Sequence, residues 1–326
     1  MALQDHVTLR KEAKKYIKYK KDKKNRIAYL TFDRPDFLNA TNIGMRQLYA
    51  EYVFKANIDD DVKVLVIRGE GKHLGAGGDL PEQAEMLSES SGDVSLLPEF
   101  AIDDPDVKYP PKKSFRFLHG LTDHYAKAQA GNRPLQEFKK VSILQVKGYC
   151  YGWHFYQAAD CDLVISSDDA LFGHPSFRYA GWGPRLWTWV EMMGIRKFSE
   201  MLFTGRPFTA KEMFQCNFIN SMVPLDQLEA ETEKYAMACS RSRPTDTVVV
   251  QKTFLELYKQ YRGEYFGSML TGWVEGMLPM MKNDAVDDRQ LGDKVFKDQG
   301  LNNAVKETDM QFPPEWRHAH SARRKP

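Results

Sequence analysis

Residues 141–178 read VSILQVKGYCYGWHFYQAADCDLVISSDDALFGHPSFR. The opening, Val141–Val146, is β-branched and apolar with no helical period, and it runs into Gly148. That is the pattern of a buried strand ending in a tight turn. After Gly152, residues 153–159 predict a short helix, 163–166 a second buried strand, and 170–173 a third short extended piece. A strand, a glycine turn and a helix start gather backbone N–H groups that no helix carbonyl reaches. Such a point attracts anions or developing negative charge, and the chemistry of the chain is expected there.

The same unit occurs earlier. Residues 27–32 (IAYLTF) predict a strand, closed by the turn chemistry of Asp33, Arg34 and Pro35. Thr41 or Asn42 can cap a helix to about Ala56, with Met45, Leu48, Tyr49, Tyr52 and Val53 at helical spacing. Asp59, Asp60 and Asp61 interrupt it. Residues 64–67 are too apolar for a half-exposed sheet. Gly69, Gly71, Gly75, Gly77 and Gly78 follow, and 80–87 predict a helix. Buried strands with helices outside, repeated, make an α/β architecture. Residues 88–134 are rich in Pro, Asp, Lys and aromatics, and read as a functional loop or lid with a helix over 115–130. Past Pro184 the pattern is helical (187–193, 195–202, from Thr209, 228–241, 245–261, 264–278), with no strand of comparable strength. The expected division is a basic arm over 1–24, a core over 25–205, a helical region over 206–282, and an extended or loosely helical tail over 283–326 with disordered basic residues at its end.

With 326 residues, 42% hydrophobic and 28% charged, the chain can bury a substantial core. Its net charge of +2 hides an arm in which Arg10, Lys11, Lys14, Lys15, Lys18, Lys20, Lys21, Lys23, Lys24 and Arg26 face only Glu12 and Asp22. Cys150, Cys161, Cys216 and Cys239 have no CxxC or metal spacing and read as buried free thiols in a reducing compartment. No metal is expected. No apolar run approaches membrane-spanning length and the N-terminus lacks a signal-peptide core, so a cytoplasmic protein without a membrane partner is expected.

Residues 72–80, KHLGAGGDL, pair naturally with residues 148–159, GYCYGWHFYQAA. Each turn places small residues where a ligand must approach bare backbone. Side by side at strand ends, two such turns can offer two N–H groups to one oxygen, an oxyanion hole.

Five ordered segments carry a resemblance: RPDFLNA, VLVIRGEGKHLGAGGDL, VSILQVKGYCYGWHF, CDLVISSDDALFG and FTGRPFTAKEMFQCNFINSMVP. Together they resemble the crotonase (enoyl-CoA hydratase/isomerase) superfamily from Arg26 to the helices near Leu278. The resemblance implies a right-handed spiral of ββα turns, a helical C-terminal trimerisation region and a homo-oligomer, either a trimer or a dimer of trimers. It implies an acyl-CoA thioester substrate, with coenzyme A part of that substrate and no permanently bound cofactor. The oxyanion donors fall on the backbone N–H groups of Ala76 and Trp153. Trp153 stands at the middle of the usual triple glycine, so its side chain must point away from the carbonyl or reshape the pocket. Asp79 orders the first turn, Gly77 and Gly78 admit the thioester, and Phe37, Leu38 and Ala40 contact adenine and pantetheine. Asp36 stands where many members have lysine.

The family's two catalytic glutamates fall on Tyr156 and Ser176, neither an acid at neutral pH in its ordinary state. The two-glutamate hydration cannot be written here. Tyr156 is a proton donor or a buried aromatic; Ser176 holds water or substrate oxygen, or is a plain loop serine. His174 titrates near neutrality as an acid/base group, or makes a structural hydrogen bond. His154 reads as structural, and Arg178 pairs with a substrate carboxylate or in a surface or subunit-interface ion pair. His119, Asp123 and His124 are further candidates. Trp187 and Trp189 suit core or interface, and Trp182 also a bulky acyl group. Hydration or isomerisation through Tyr156 and His174, hydrolysis or carbon–carbon cleavage of a CoA ester, and non-catalytic CoA-ester or RNA binding all stay open. The basic arm is a solvated face, a lure for CoA phosphates, or a nucleic-acid comb. The third is disfavoured, because only Tyr16 and Tyr19 interleave it.

Overall fold

The structure, a computed structural model, describes residues 10–82, 133–178, 181–277 and 300–323, with residues 106, 108, 114, 116, 122 and 126. The chain runs through β1 (Ile17–Asp22), β2 (Ile27–Phe32), α1 (Ile43–Ile58), β3 (Val64–Gly69), β4 (Val141–Val146), β5 (Tyr149–Tyr151) and α2 (Trp153–Asp160). It continues through β6 (Leu163–Ser167), β7 (Leu171–Gly173), α3 (Leu186–Met193), α4 (Ile195–Thr204), β8 (Phe208–Thr209), α5 (Ala210–Gln215) and β9 (Ser221–Val223). The last long helices are α6 (Leu228–Arg241), α7 (Thr245–Tyr261), α8 (Glu264–Met277) and α9 (Leu301–Met310).

Six strands form one sheet in the order β1-β2-β3-β4-β6-β9, and β5-β7-β8 form a second. From β2 to β9 the large sheet is parallel, and β1 pairs antiparallel at its edge. β4 and β6 are each followed by a strand of the small sheet, where Tyr149 to Tyr151 lie beside Leu171 to Gly173.

Strand alternation decides which side each residue serves. Val64, Val66 and Ile143 face α6 with Leu228 and Ala236. Leu65, Ile67, Leu144 and Val146 face the larger core with Met45, Leu48, Tyr49 and Val53 of α1. Both faces of β3 and β4 are covered, which is why these strands read as continuous apolar runs. Asn42, not Thr41, caps α1, its side chain accepting from the Met45 N–H at 2.9 Å.

The structure corrects two expectations, for the arm and for the tail. The arm is not free beyond its first part: residues 17–22 are the sheet's edge strand, with Ile17 buried and Lys18 and Lys20 exposed. Lysine on an edge strand masks it in sequence and blunts it against pairing with another chain. Part of its charge is matched, because Lys21 binds Asp59 at 2.7 Å and Asp61 at 3.0 Å. Past Pro184 the strands β8 and β9 have only two and three residues, so no strand of comparable strength occurs there among the described residues. The tail contains a regular helix and is docked: Arg178 pairs with Asp309 at 2.6 Å and stacks on Phe312 at 3.6 Å. The Tyr151 hydroxyl donates to the His318 carbonyl at 2.8 Å. Burial would raise the Asp309 carboxyl, but His318 and Arg178 hold it down at about 2.

Candidate active site

The two glycine turns meet. The Gly75 N–H donates to the Tyr149 carbonyl at 2.8 Å, and the Tyr151 N–H to the Gly75 carbonyl at 3.1 Å. Gly77 (φ 108°) and Gly152 (φ 53°) then touch backbone to backbone: a Cβ on Gly152 would lie 3.2 Å from the Gly77 Cα. Both backbones need the left-handed region and the bare Cα at once.

The segment over residues 34–41 forms the outer wall. Asn39 is buried and donates through Nδ2 to the Glu70 and His73 carbonyls at 3.0 and 2.9 Å, while its Oδ1 accepts from the Arg34 N–H. Asp79 accepts from Arg34 Nη1 at 2.7 Å, and its own N–H donates to the Thr41 carbonyl at 3.0 Å. Asp79 therefore orders the first turn by tying it to Arg34. Asn39 was not singled out in the sequence, although the RPDFLNA segment contains it. Phe37 and Leu38 are 58% and 43% exposed, with the Arg34 guanidinium 4.2 Å from the Phe37 ring. Ala40 accepts from Arg34 through its carbonyl at 3.0 Å.

Trp153 opens α2, so its N–H belongs to the first turn, beyond reach of any carbonyl of its own helix. Its indole points away from the turns into the core, edge-on to Phe32 and Tyr49 at 5.8 and 5.0 Å. The Ala76 N–H donates to the Leu38 carbonyl at 2.9 Å. As it stands, a thioester oxygen must displace Leu38 to use that donor. His154 is fully buried, with Nε2 2.9 Å from the Asn39 carbonyl. A Cβ on Gly75 would lie 2.0 Å from that Nε2. The imidazole thus occupies the volume that a side chain at residue 75 would need.

Tyr156, His174 and Ser176 converge one turn into α2. His174 Nε2 lies 2.6 Å from Ser176 Oγ and 3.4 Å from the Tyr156 hydroxyl. Ser176 donates to the Trp182 carbonyl at 3.1 Å, which leaves its oxygen to accept from His174 and puts the imidazole proton on Nε2. Gly173, next to His174, accepts from the Gly152 N–H at 3.0 Å, so this cluster directly adjoins the turns. Burial pushes the His174 imidazole down to about 3. This corrects the expectation that it titrates near neutrality: a sequence cannot show that Trp189 and Phe177 enclose the ring. His174 is a neutral hydrogen-bonding group that aligns two hydroxyls.

Arg178 is committed to Asp309 and the tail in an ion pair that is buried and within the chain, not at the surface. Trp182 donates through Nε1 to the Thr271 carbonyl at 3.0 Å, Trp189 lies fully buried against Phe155, and Trp187 packs on Gly267 of α8. His119, Asp123 and His124 lie outside the described residues. Among the described residues no group of three or more His, Cys, Asp or Glu could hold a metal ion, and no helix is long and apolar enough to cross a membrane. The four cysteines are free thiols, Cys150 and Cys161 buried and Cys216 and Cys239 partly so.

The enoyl-CoA hydratase/isomerase family model matches residues 121–266. The mevalonyl-coenzyme A hydratase of Aspergillus fumigatus is 26% identical over 300 residues, covering 89% of this chain and 91% of that protein. An enoyl-CoA hydratase structure from Mycobacterium smegmatis superposes with a TM-score of 0.73 at 21% identity, covering 94% of this chain and 97% of that one. An enoyl-CoA hydratase/isomerase from Xanthobacter autotrophicus Py2 gives 0.70 at 21% identity, covering 91% and 98%. In sequence and in fold the chain is similar to the crotonase superfamily. Its mixed α/β fold is the crotonase fold.

Three buried or half-buried imidazoles make the protein acid-sensitive. Burial lowers His73 and His154 to about 4 and His174 to about 3, with the charge of His320 adding to the effect at His73. Each folded-state value lies below the ordinary 6.5, so the unfolded chain binds protons first as pH falls. The stability is fully present above about pH 6.5 and drains as pH drops towards 4 and 3. Urea titrations across this range are expected to show unfolding free energy declining from about pH 6.5 downward. A flat profile would mean that the imidazoles are hydrated in solution.

Proposed function

We propose that the protein binds an acyl-CoA thioester with its carbonyl at the junction of the two glycine turns and stabilises the enolate formed there. The oxyanion donors are the N–H groups of Ala76 and Trp153. The Ala76 donor is released when the exposed Leu38, held at a left-handed φ of 53°, swings its carbonyl aside. Gly77 and Gly78 admit the thioester beside Asp79, and Phe37, Leu38 and Ala40 lie along the nucleotide end. The reaction is of the hydratase/isomerase kind, run without the two glutamates. Tyr156, aligned through His174 and Ser176, orients the reacting water or substrate hydroxyl.

The convergence of Tyr156, His174 and Ser176 beside the glycine turns carries this reading. Similarity to the family supports the substrate class. The exposed aromatic face of α7 and α8, including Phe254, Tyr258, Tyr261 and Phe266, is where the proposal places the contact between copies in a homo-oligomer.

Tyr156→Phe is expected to lower turnover of a short enoyl-CoA by about a hundredfold while acyl-CoA affinity is kept. His174→Ala should lower it comparably by misaligning both hydroxyls. Unchanged turnover in both variants would remove the cluster from the chemistry. One observation favours a second reading, a CoA-ester binder without turnover: the Leu38 carbonyl closes the Ala76 donor. Tight binding with no turnover across enoyl-, 3-oxoacyl- and plain acyl-CoA panels would select it, whereas hydrolysis of the plain esters alone would select a hydrolase.

A further inference from the structure

Helix α8 carries an inward polar stripe at helical spacing: Glu264, Ser268, Thr271 and Glu275. Three of the four are satisfied. Glu264 accepts from Arg133 Nη2 at 2.6 Å and from the Thr188 hydroxyl at 2.9 Å. Ser268 accepts from Arg133 Nη1. Thr271 donates to the Pro184 carbonyl at 3.0 Å, and its own carbonyl accepts from Trp182 Nε1. Glu275, one turn further on, has an Oε2 closed off from solvent with no hydrogen-bond partner among the described residues, although the residue as a whole is only half-buried. A buried carboxyl oxygen without a partner is costly and asks for an explanation.

Its surroundings supply one. The same loop that Thr271 and Trp182 fasten to α8 accepts the Ser176 hydroxyl at the Trp182 carbonyl. Arg185, at the end of that loop, lies 5.5 Å from the centre of the Tyr156 ring and pairs with Asp160 at 3.4 Å. The end of α8 is therefore joined to the Tyr156–His174–Ser176 cluster through residues 182–185. We propose that Glu275 is the catalytic carboxyl that carries the proton of this reaction, in place of the glutamates absent from positions 156 and 176. The assignment rests on the acyl-CoA reading above.

The step balances with one carboxyl. The water oxygen, oriented by Tyr156, bonds to the β-carbon of the enoyl thioester, and the Cα=Cβ pair moves onto the thioester oxygen. As that pair returns, the proton of Glu275 passes to Cα. The carboxylate so formed takes the proton that the water loses. Burial pushes Glu275 up to about 7, against the downward pull of Arg185. A group poised there is populated both as acid and as base at neutral pH. Among the described residues the charged group that acts on Glu275 is Arg185, which itself pairs with Asp160 and lies against the Tyr156 ring. Asp160 is held below the ordinary carboxylate range by Arg133 and Arg185 despite its burial. His174, lowered to about 3, is neutral there. Neither titrates near 7.

The test is Glu275→Gln and Glu275→Asp in the full chain, with butanoyl-CoA for binding and a short enoyl-CoA for turnover. Gln should lower kcat about a hundredfold or more, leave butanoyl-CoA affinity unchanged, and abolish the ionisation near pH 7 in kcat/KM. Asp should keep part of the rate and shift that ionisation. Turnover within about twofold of wild type in Glu275→Gln, with the same pH profile, overturns the assignment alone. Wild-type protein that binds no acyl-CoA, or binds it and turns over no ester, overturns the reading beneath and the assignment with it.

Discussion

Arg133→Met is expected to destabilise the protein by about 3–5 kcal/mol, the cost of breaking a buried ion network by removing one member. Arg133 is almost fully buried and binds Asp160 through Nε and Nη2, Glu264 through Nη2, and Ser268 through Nη1. Without it, among the described residues, Asp160 keeps Arg185 at 3.4 Å and Glu264 keeps two hydroxyls. Two carboxylates would then share the one buried guanidinium of Arg185, which burial pushes down to about 10 and which stays charged at neutral pH. Because the network joins the start of β4, α2 and α8, its loss also loosens the helix that bears Tyr156. Thermal and urea unfolding at one fixed protein concentration measure the effect. A loss below about 1 kcal/mol would show that water already solvates these charges. Arg133→Lys should rescue little, since a single ammonium cannot reproduce the fork that grips three side chains.

Gly75→Ala is expected to cost about a hundredfold in turnover, the scale of effect seen when reacting groups are misplaced by roughly 1 Å. The added methyl would sit 2.0 Å from His154 Nε2. That ring cannot simply rotate away, because it is held against the Asn39 carbonyl and packed edge-on against Phe32 at 4.9 Å. The strain must pass into α2, whose first turn carries both Trp153 and His154, or into the Gly75–Tyr149 pairing. Overpacking of this kind also costs about 1–3 kcal/mol of stability. The double variant Gly75→Ala/His154→Gly should recover most of both losses, because it restores the volume on the other side of the contact. Full activity in the single variant would mean that the turns are not rigid enough to position a carbonyl.

Much of this was legible in sequence for an identifiable reason. The strands β3 and β4 announce burial on both faces, α6 and α7 begin and end where the helical pattern places them, and both glycine turns stand out because few other residues tolerate their backbone. The edge strand was hidden by lysines whose aliphatic stems and charges serve the surface. Glu275 was passed over because helical spacing alone does not separate a buried polar stripe from an exposed one.

By itself the sequence determined the repeated strand–turn–helix units and the two glycine turns that need bare backbone, since both are properties of residue type and local spacing. Tertiary structure decided the rest. It turned Arg178 from a substrate ligand into an anchor for the tail, and it made His174 a neutral aligner by enclosing it in aromatic rings. It set the Leu38 carbonyl on the Ala76 N–H, and it left one carboxyl oxygen of Glu275 buried without a partner. Each outcome depends on desolvation or on a contact between residues far apart in the chain, and neither is a property that any single segment carries.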